Sequence, residues 1–367
     1  MSARPLRVAV LGAGGIIAPA IVRDLAESEE VDHLALLDID EARVRATAEA
    51  HGGPKAEVAV VDPRGGLGYL LSGIDVLVNA ASYRVNLDAM RACLEAGAHY
   101  VDLGGLYHLT GRQLEMDDDF KAVERLALLG MGSSPGKTNV MGVRAVRELG
   151  TAPEEMRVYA AGRDLDPPDG PSYPYAPRTL VDELTEPPMS LRGGRPTALE
   201  PMQDGGAFAF ADPIGHAETI YTLHSEVRTF GDSFGCTECT FHLSLAPAVL
   251  ERVRALVGAS EADIAAAAAA AVASSDQTVS SHVVTARAGD REVTVSAQTR
   301  GMADWGIGGG IVSTASPAAA AVRLLARGKI DAVGAIPPER CVAPEDLFPE
   351  LERRNCRFTL EEGAVAR

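Results

Sequence analysis

The sequence predicts an α/β protein: a doubly wound parallel sheet followed by a second α+β domain with a mixed sheet. Three observations carry this. Short apolar runs alternate with helix-like stretches up to about residue 130. A glycine turn, Gly12-Ala13-Gly14, joins the first apolar run to the first helix. Beyond residue 155 the strict alternation gives way to sequence rich in Pro, Gly and Thr. Alternating strands and helices build a parallel sheet covered on both faces, and right-handed crossovers make it doubly wound, the Rossmann arrangement.

Val8-Ala9-Val10-Leu11 reads as a buried strand, followed by a helix from Ile16 to Ser28. His33 to Leu37 is the second strand, ending at Asp38, and Glu41 to His51 is helical. Glu57 to Val61 is the third, ending at Asp62, with a short helix from Gly66 to Leu71. Asp75 to Asn79 is the fourth, a helix continues to Ala96, and His99 to Asp102 is the fifth. A long helix is expected over Gly111 to Leu126. In the second half, Val181 to Arg195 and Asp212 to Phe230 read as short strands and loops. The alanine run in Glu261 to Ser275 reads as a helix. Val283 to Arg300 reads as a hairpin turning at Ala288-Gly289-Asp290. Pro317 to Arg327 is a helix with its proline in the first turn.

With 367 residues and 46% hydrophobic content the chain can bury sizeable cores. A net charge of −17 argues against nucleic-acid and anionic-membrane partners; it either serves solubility or steers a cationic ligand inward. No apolar stretch reads as a membrane span and no signal peptide is read, so a cytoplasmic protein is expected. Five scattered cysteines make no disulfide framework. Cys236 and Cys239 form a C-x-x-C, but on a regular strand their thiols would diverge, so no metal is expected.

The glycine turn carries the first chemistry. Glycine at 12 permits the tight turn, and glycine at 14 lets amides approach a diphosphate at the positive end of the helix; Gly15, Ile16 and Ile17 complete the junction. Ile17 stands where the third glycine of G-x-G-x-x-G belongs, so looser helix–strand packing is expected. Asp38, ending the second strand, suits ribose hydroxyls and would repel a 2′-phosphate, which favours NAD over NADP. Asp62 is a candidate adenine contact or a turn cap before Pro63. Asn79, Ala80 and Ala81 are small enough to admit the nicotinamide half. The loop Gly130 to Asn139, including Pro135, offers amides to cofactor or substrate, and Lys137 either binds a carboxylate or lies exposed. Gly136-Lys137-Thr138 is not a P-loop, because Met131 stands where its first glycine is required.

Taken together, several segments resemble the saccharopine dehydrogenase family. They are the glycine turn, Cys93 to Gly105, Ser134 to Asn139, and Tyr221-Thr222-Leu223-His224-Ser225-Glu226. Within that family Arg178 to Glu183, Asp212 to Gly215 and Gly334 to Glu339 resemble the lysine 6-dehydrogenases. The resemblance implies a Rossmann NAD-binding domain over 1–135, an α+β substrate and dimerisation domain over 136–305, and a C-terminal segment, 306–367, packing back on the first. It implies NAD-linked oxidation at an amine-bearing carbon, with a small amine or amino acid as substrate and a homodimer or higher homo-oligomer. Secondary-amine dehydrogenases of the saccharopine or carboxynorspermidine type, or a dinucleotide-binding protein without turnover, are the alternatives.

Oxidising an ammonium-bearing carbon requires a group that takes a proton from the amine. Asp102, at a strand end, is the first candidate, or else a loop cap. His224 and Glu226, expected on one face of a strand, are the second, or else a structural histidine. Tyr83 and Tyr107 line the pocket or pack, as does His108. Arg178 pairs with a substrate carboxylate, or with Asp182 one helical turn on.

Overall fold

The computed structural model describes residues 4–364. They divide into two compact units, 4–140 with 314–351, and 141–313 with 352–364. Strands are numbered along the chain. The first unit holds β1 (Leu6–Leu11), β2 (Val31–Asp38), β3 (Ala56–Val60), β4 (Val76–Asn79), β5 (His99–Asp102) and β6 (Leu126–Leu128). The second holds β7 (Glu155–Asp164), β8 (Met189–Arg192), β9 (Arg195–Ala198), β10 (Asp204–Ala209), β11 (His216–Tyr221), β12 (Glu238–Ser244), β13 (Thr278–Ala288) and β14 (Arg291–Thr299). Then β15 (Gly334–Ile336) returns to the first sheet and β16 (Cys356–Ala364) to the second.

The first sheet runs β15-β6-β5-β4-β1-β2-β3, and every neighbouring pair is parallel. β1 lies inside the sheet, between β4 and β2, and is covered on both faces, which is why Val8 to Leu11 is apolar without alternation. Chain order reverses between β1 and β4, so a crevice opens at the carboxyl ends of these two strands, where such sheets bind ligands. The expected helix over Gly111 to Leu126 is instead two, Leu106–Leu114 and Asp117–Ala122, followed by β6. Leu126, Ala127 and Leu128 are fully buried and pair with β5 and β15, so sheet ladders claim the backbone that helical periodicity had suggested.

The second sheet is mixed, β10-β11-β12-β7-β13-β14-β16, with β8 paired to β12 and β9 to β8; β12 and β7 are parallel. The hairpin at Ala288-Gly289-Asp290 forms, with Gly289 at φ +61. Two segments read as strands and loops contain helices, Pro177–Thr185 and Glu226–Phe234. Leu180, Val181 and Leu184 recur at helical spacing and bury against Val253 and Ile264, with Pro177 in the first turn. The alanine helix is Glu261–Ala269, opened by a Ser260–Asp263 capping box and held by Ile264 alone; the alanines beyond offer little area to bury.

The expected C-terminal segment, 306–367, is divided. Residues 314–351 belong to the first unit, but β16 pairs along β14 in the second sheet, because its backbone completes that edge. Pro317 lies inside the helix Gly309–Ala326 rather than in its first turn. This helix is long and apolar enough to cross a membrane, contrary to the sequence reading, but 72% of it is buried. It carries Arg323, whose guanidinium binds Asp24 Oδ1 and Glu350 Oε2, each at 2.7 Å, with Arg323 and Asp24 almost completely buried. Arg327 joins Glu350 at 2.8 Å and Glu30 at 2.6 Å.

Removing one partner of such a buried cluster leaves charges without compensation. Arg323→Ala should therefore cost about 3–5 kcal/mol, seen as a lower urea midpoint. The triple change Asp24→Leu, Arg323→Met, Glu350→Leu should recover most of that loss; a single variant as stable as the parent would show that the cluster contributes nothing.

Candidate functional site

The glycine turn sits at the head of β1. Gly12 has φ +78, and a Cβ there would lie 2.5 Å from Ala81 Cα, so glycine alone lets the turn close on the loop after β4. A Cβ on Gly14 would meet Arg43 Cβ at 2.7 Å and approach Asp38 Oδ2 at 3.2 Å. Bare backbone at 14 thus keeps the approach to Asp38 open. Gly15 N donates to Gly12 O at 2.9 Å. The first helix is Ala18–Ala26, starting later than expected, with Ile17 as N-cap and no side chain capping its first turn. Amides without a side-chain acceptor at a helix start suit an anion. Ile16 is exposed and Ile17 half-buried. Ala18, beside it, is fully buried.

Asp38 is oriented by two backbone donors, Gly14 N to Oδ2 at 2.8 Å and Asp40 N to Oδ1 at 2.9 Å. Each carboxylate oxygen has a further lone pair, so ribose hydroxyls can still be accepted. A cradle that a Cβ would fill, an uncapped helix start and an oriented carboxylate together fit a dinucleotide. Asp62 does not join them. Arg64 binds it through its side chain at 2.6 Å and 2.9 Å and its backbone at 3.0 Å, lowering the Asp62 pKa to about 2. It is the turn cap of the two readings.

Asp102 was the first candidate for proton transfer, and its surroundings argue otherwise. It is 1% exposed and accepts five hydrogen bonds: Gln113 Nε2 at 2.6 Å, Gly130 N at 2.6 Å, Tyr100 OH at 2.9 Å, Asn86 Nδ2 at 3.0 Å and Gly104 N at 3.0 Å. Burial raises its pKa, while the donors from Gln113, Gly130, Tyr100 and Gly104 oppose that rise. A carboxylate so occupied positions loops; it has no lone pair to spare for a substrate proton. Asn79 belongs to the same network, its Nδ2 donating to Asn86 Oδ1 at 2.9 Å and Tyr100 OH at 3.2 Å, and its Oδ1 accepting from Ala81 N at 3.1 Å. Its side chain therefore faces inward, leaving the backbone of Asn79, Ala80 and Ala81 to line the crevice. Ala80 N donates to Leu11 O at 2.8 Å, which fixes that loop to β1.

Pro135 follows a cis peptide bond and fills the space left by two glycines; a Cβ on Gly104 or Gly130 would lie 2.8 Å or 2.6 Å from its Cγ. It joins the loops after β5 and β6. Lys137 is fully buried, which excludes the exposed reading. Tyr83 and Tyr107 are half-buried; Tyr107 packs edge-on to His108 at 5.2 Å, and Tyr83 lies beneath the Arg84 guanidinium. Arg178 is taken by Asp182 and by Glu261 at 3.1 Å, the intramolecular reading, so it is not placed to bind a substrate carboxylate.

The second unit assembles a different constellation. His224 and Glu226 are not on one strand face: β11 ends at Tyr221, and Glu226 opens the helix Glu226–Phe234. They nonetheless meet, His224 Nδ1 standing 3.5 Å from Glu226 Oε2. On the other side of the ring, Nε2 lies 4.0 Å from Glu183 Oε1, and Tyr175 OH donates to Glu183 Oε2 at 2.5 Å. The imidazole stacks on Phe241 at 3.5 Å and 10°. All three ionisable groups are buried, Glu226 completely. Burial alone would lower the His224 pKa, but Glu226 and then Glu183 outweigh it and raise it above 6.5. Burial raises Glu183, opposed by His224 and Tyr175. Sequence reading named Glu183 only within the segment Arg178 to Glu183 and gave neither it nor Tyr175 a role, since it offered a helix there only as one alternative for Arg178; Pro177 followed by Leu180, Val181 and Leu184 was the available signal.

Cys236 precedes β12 rather than lying within it, so the two thiols do not diverge. A hydrogen bond between them lowers the pKa of Cys236 and raises that of Cys239. Among the described residues no group of three His, Cys, Asp or Glu is placed to hold a metal.

Asp102→Asn turns one acceptor oxygen into a donor facing other donors. Each orphaned buried group costs about 1–3 kcal/mol, so the variant should lose several degrees in Tm together with dinucleotide affinity. Unchanged Tm with lost turnover would instead assign Asp102 to the chemistry.

Residues 8–128 match the family model described as saccharopine dehydrogenase NADP binding domain. Carboxyaminopropylagmatine dehydrogenase of Synechocystis sp. is 30% identical over 156 residues, 38% of this chain and 38% of that protein. The chain thus spans well under two thirds of that relative in the match. The structure of apo saccharopine dehydrogenase (L-Glu forming) from Saccharomyces cerevisiae superposes with a TM-score of 0.67 at 15% identity, covering 98% of this chain and 100% of that one. That likeness establishes a shared fold along the chain. Residues 8–128 are thus similar to the NADP-binding domain of the saccharopine dehydrogenase family.

Proposed function

We propose that this chain is an NAD-dependent dehydrogenase acting on the C–N bond of a cationic amine or amino acid. The observation that carries the reading is the buried array Glu183–His224–Glu226: two carboxylates flanking one imidazole, in the domain that does not hold the dinucleotide. Buried anionic charge is costly unless it is compensated, and a substrate ammonium compensates it. The chain's net charge of −17 draws the same class of ligand.

Gly12, Gly14, Gly15 and the start of the first helix would hold the diphosphate, and Asp38 the adenosine ribose. Asp38 argues for NAD although the family model carries NADP in its name, because a 2′-phosphate would face a carboxylate. Bound there, the nicotinamide supplies a hydride acceptor. His224 takes the proton of the amine, with Glu226 holding its Nδ1 side and Glu183 its Nε2 side. Phe241 fixes the ring plane. Tyr175 keeps the Glu183 carboxylate turned toward the imidazole.

The first reading of the substrate is the terminal amine of L-lysine, as in lysine 6-dehydrogenases. A second, secondary amines, is favoured by the curated relative, whose name joins a carboxyaminopropyl group to agmatine. Absorbance of reduced nicotinamide, followed with L-lysine, saccharopine and carboxyaminopropylagmatine, separates the two. Tight NAD binding with no turnover on any amine would overturn the catalytic reading.

Two further outcomes are expected. Asp38→Ala loses a charge-assisted hydrogen bond worth about 1.5–3 kcal/mol, so kcat/KM with NAD should fall about 10- to 100-fold and the preference over NADP should shrink. The pH profile of kcat/KM should show an ionisation above 6.5 from His224. In Glu226→Gln the raising charge is gone and burial acts unopposed on that side, so the inflection should move to lower pH. An inflection that stays in place would remove His224 from the mechanism.

A further inference from the structure

At the edge of the second sheet lies a cleft of about 580 Å³, lined by β13, β14, β16 and the loop after β14 and by none of the groups used above. Its floor follows from strand register. Gln298 is paired with Arg357, and Arg300 extends the same ladder by donating its amide to Asn355 O at 3.1 Å. Residues two apart on a strand share a face, as do directly opposed ones. Gln298, Arg300, Asn355 and Arg357 therefore form a two-by-two block on one face, with the two arginines as diagonal neighbours, about 7–8 Å apart at the backbone and within reach of one ligand.

Both arginines are exposed, and neither guanidinium has an acidic or carbonyl partner among the described residues. That is unusual where acids outnumber bases, 51 to 34, and where Arg157, Arg178, Arg287, Arg323 and Arg327 are all paired. The acidic group in the lining, Asp276, is engaged by Gln277 Nε2 at 2.8 Å. The wall is fixed in advance: Asn355, at φ +55, donates from Nδ2 to Gly301 O at 2.7 Å, and a Cβ on Gly301 would lie 2.3 Å from Asp276 O. Two unpaired guanidinia on a rigid floor present parallel donors to a group with several anionic oxygens.

We propose that this cleft binds a small dianion, a phosphate monoester or a dicarboxylate, at a site separate from the dinucleotide turn and the Glu183–His224–Glu226 array. The reading stands whether or not the proposed amine chemistry is correct, since it rests on other residues.

Isothermal titration of the full chain with inorganic phosphate and with succinate tests it. Saturating NAD occupies the diphosphate site, and ionic strength is matched with sodium chloride. One or both anions should bind, and in Arg300→Gln/Arg357→Gln the affinity should fall at least about tenfold. The order of phosphate and succinate identifies the source of the dianion. Arg300→Lys and Arg357→Lys, which keep charge but lose the fork, should also bind more weakly than the parent, and they serve as the test where the double variant does not fold. Absence of binding by either anion would overturn the proposal, as would equal affinity in parent and variants. It would equally fail if the substitutions changed only the oligomeric state on size exclusion, which would make the cleft an interface between copies.

Discussion

A carboxylate taken out of water must be hydrogen-bonded at every lone pair or it will not stay charged, and the nucleotide side of this protein is organised around one that is. Asp102 ends β5 and collects donors from the helix after it, from the loop after β6 and from the helix after β4. Asn79 carries the same network to the end of β4, and through Ala81 to the turn that closes on Gly12. The crevice rim is thereby a set of loops tied to one buried charge. Pro135, seated against Gly104 and Gly130, closes the network on its far side. The glycine turn holds its shape because what it packs against cannot move independently.

The second unit solves a different electrostatic problem. There Glu183, His224 and Glu226 are buried together, with Tyr175 as a neutral donor to Glu183. Asp102 is satisfied by fixed donors, whereas Glu226 and Glu183 meet His224 at the longer distances of an ion-pair array. The two sets of buried acids thus differ in their partners: backbone and amide donors predominate around Asp102, an imidazole and a phenol around Glu183.

Much of the first unit was legible because its signals are local. The five strands, the glycine turn and Asp38 at the end of β2 follow from apolar runs punctuated by Gly and Asp. The resemblance to the saccharopine dehydrogenase family rested on such short segments, and the family match covers the same domain. The second unit was less legible. Its helix at Pro177–Thr185 was read as strand and loop, which hid Glu183. Its last strand, β16, lies far along the chain from the sheet that it completes. The hairpin of β13 and β14 was found because its turn is written in three adjacent residues.

By itself the sequence determined the first five strands, the place of the dinucleotide turn and the identity of the carboxylate that faces it, since each is written in short runs of adjacent residues; β6 and β15, which complete that sheet, were not legible. Only the tertiary structure decided what the buried polar residues do. Asp102, Asp62 and Arg178 each had a functional and a structural reading until their own partners came into view, and Glu183 had no assigned role until a helix turned it toward His224. The physical reason is that a side chain's role is set by how many of its hydrogen-bonding sites the protein already fills, and those partners come from segments that no local pattern connects.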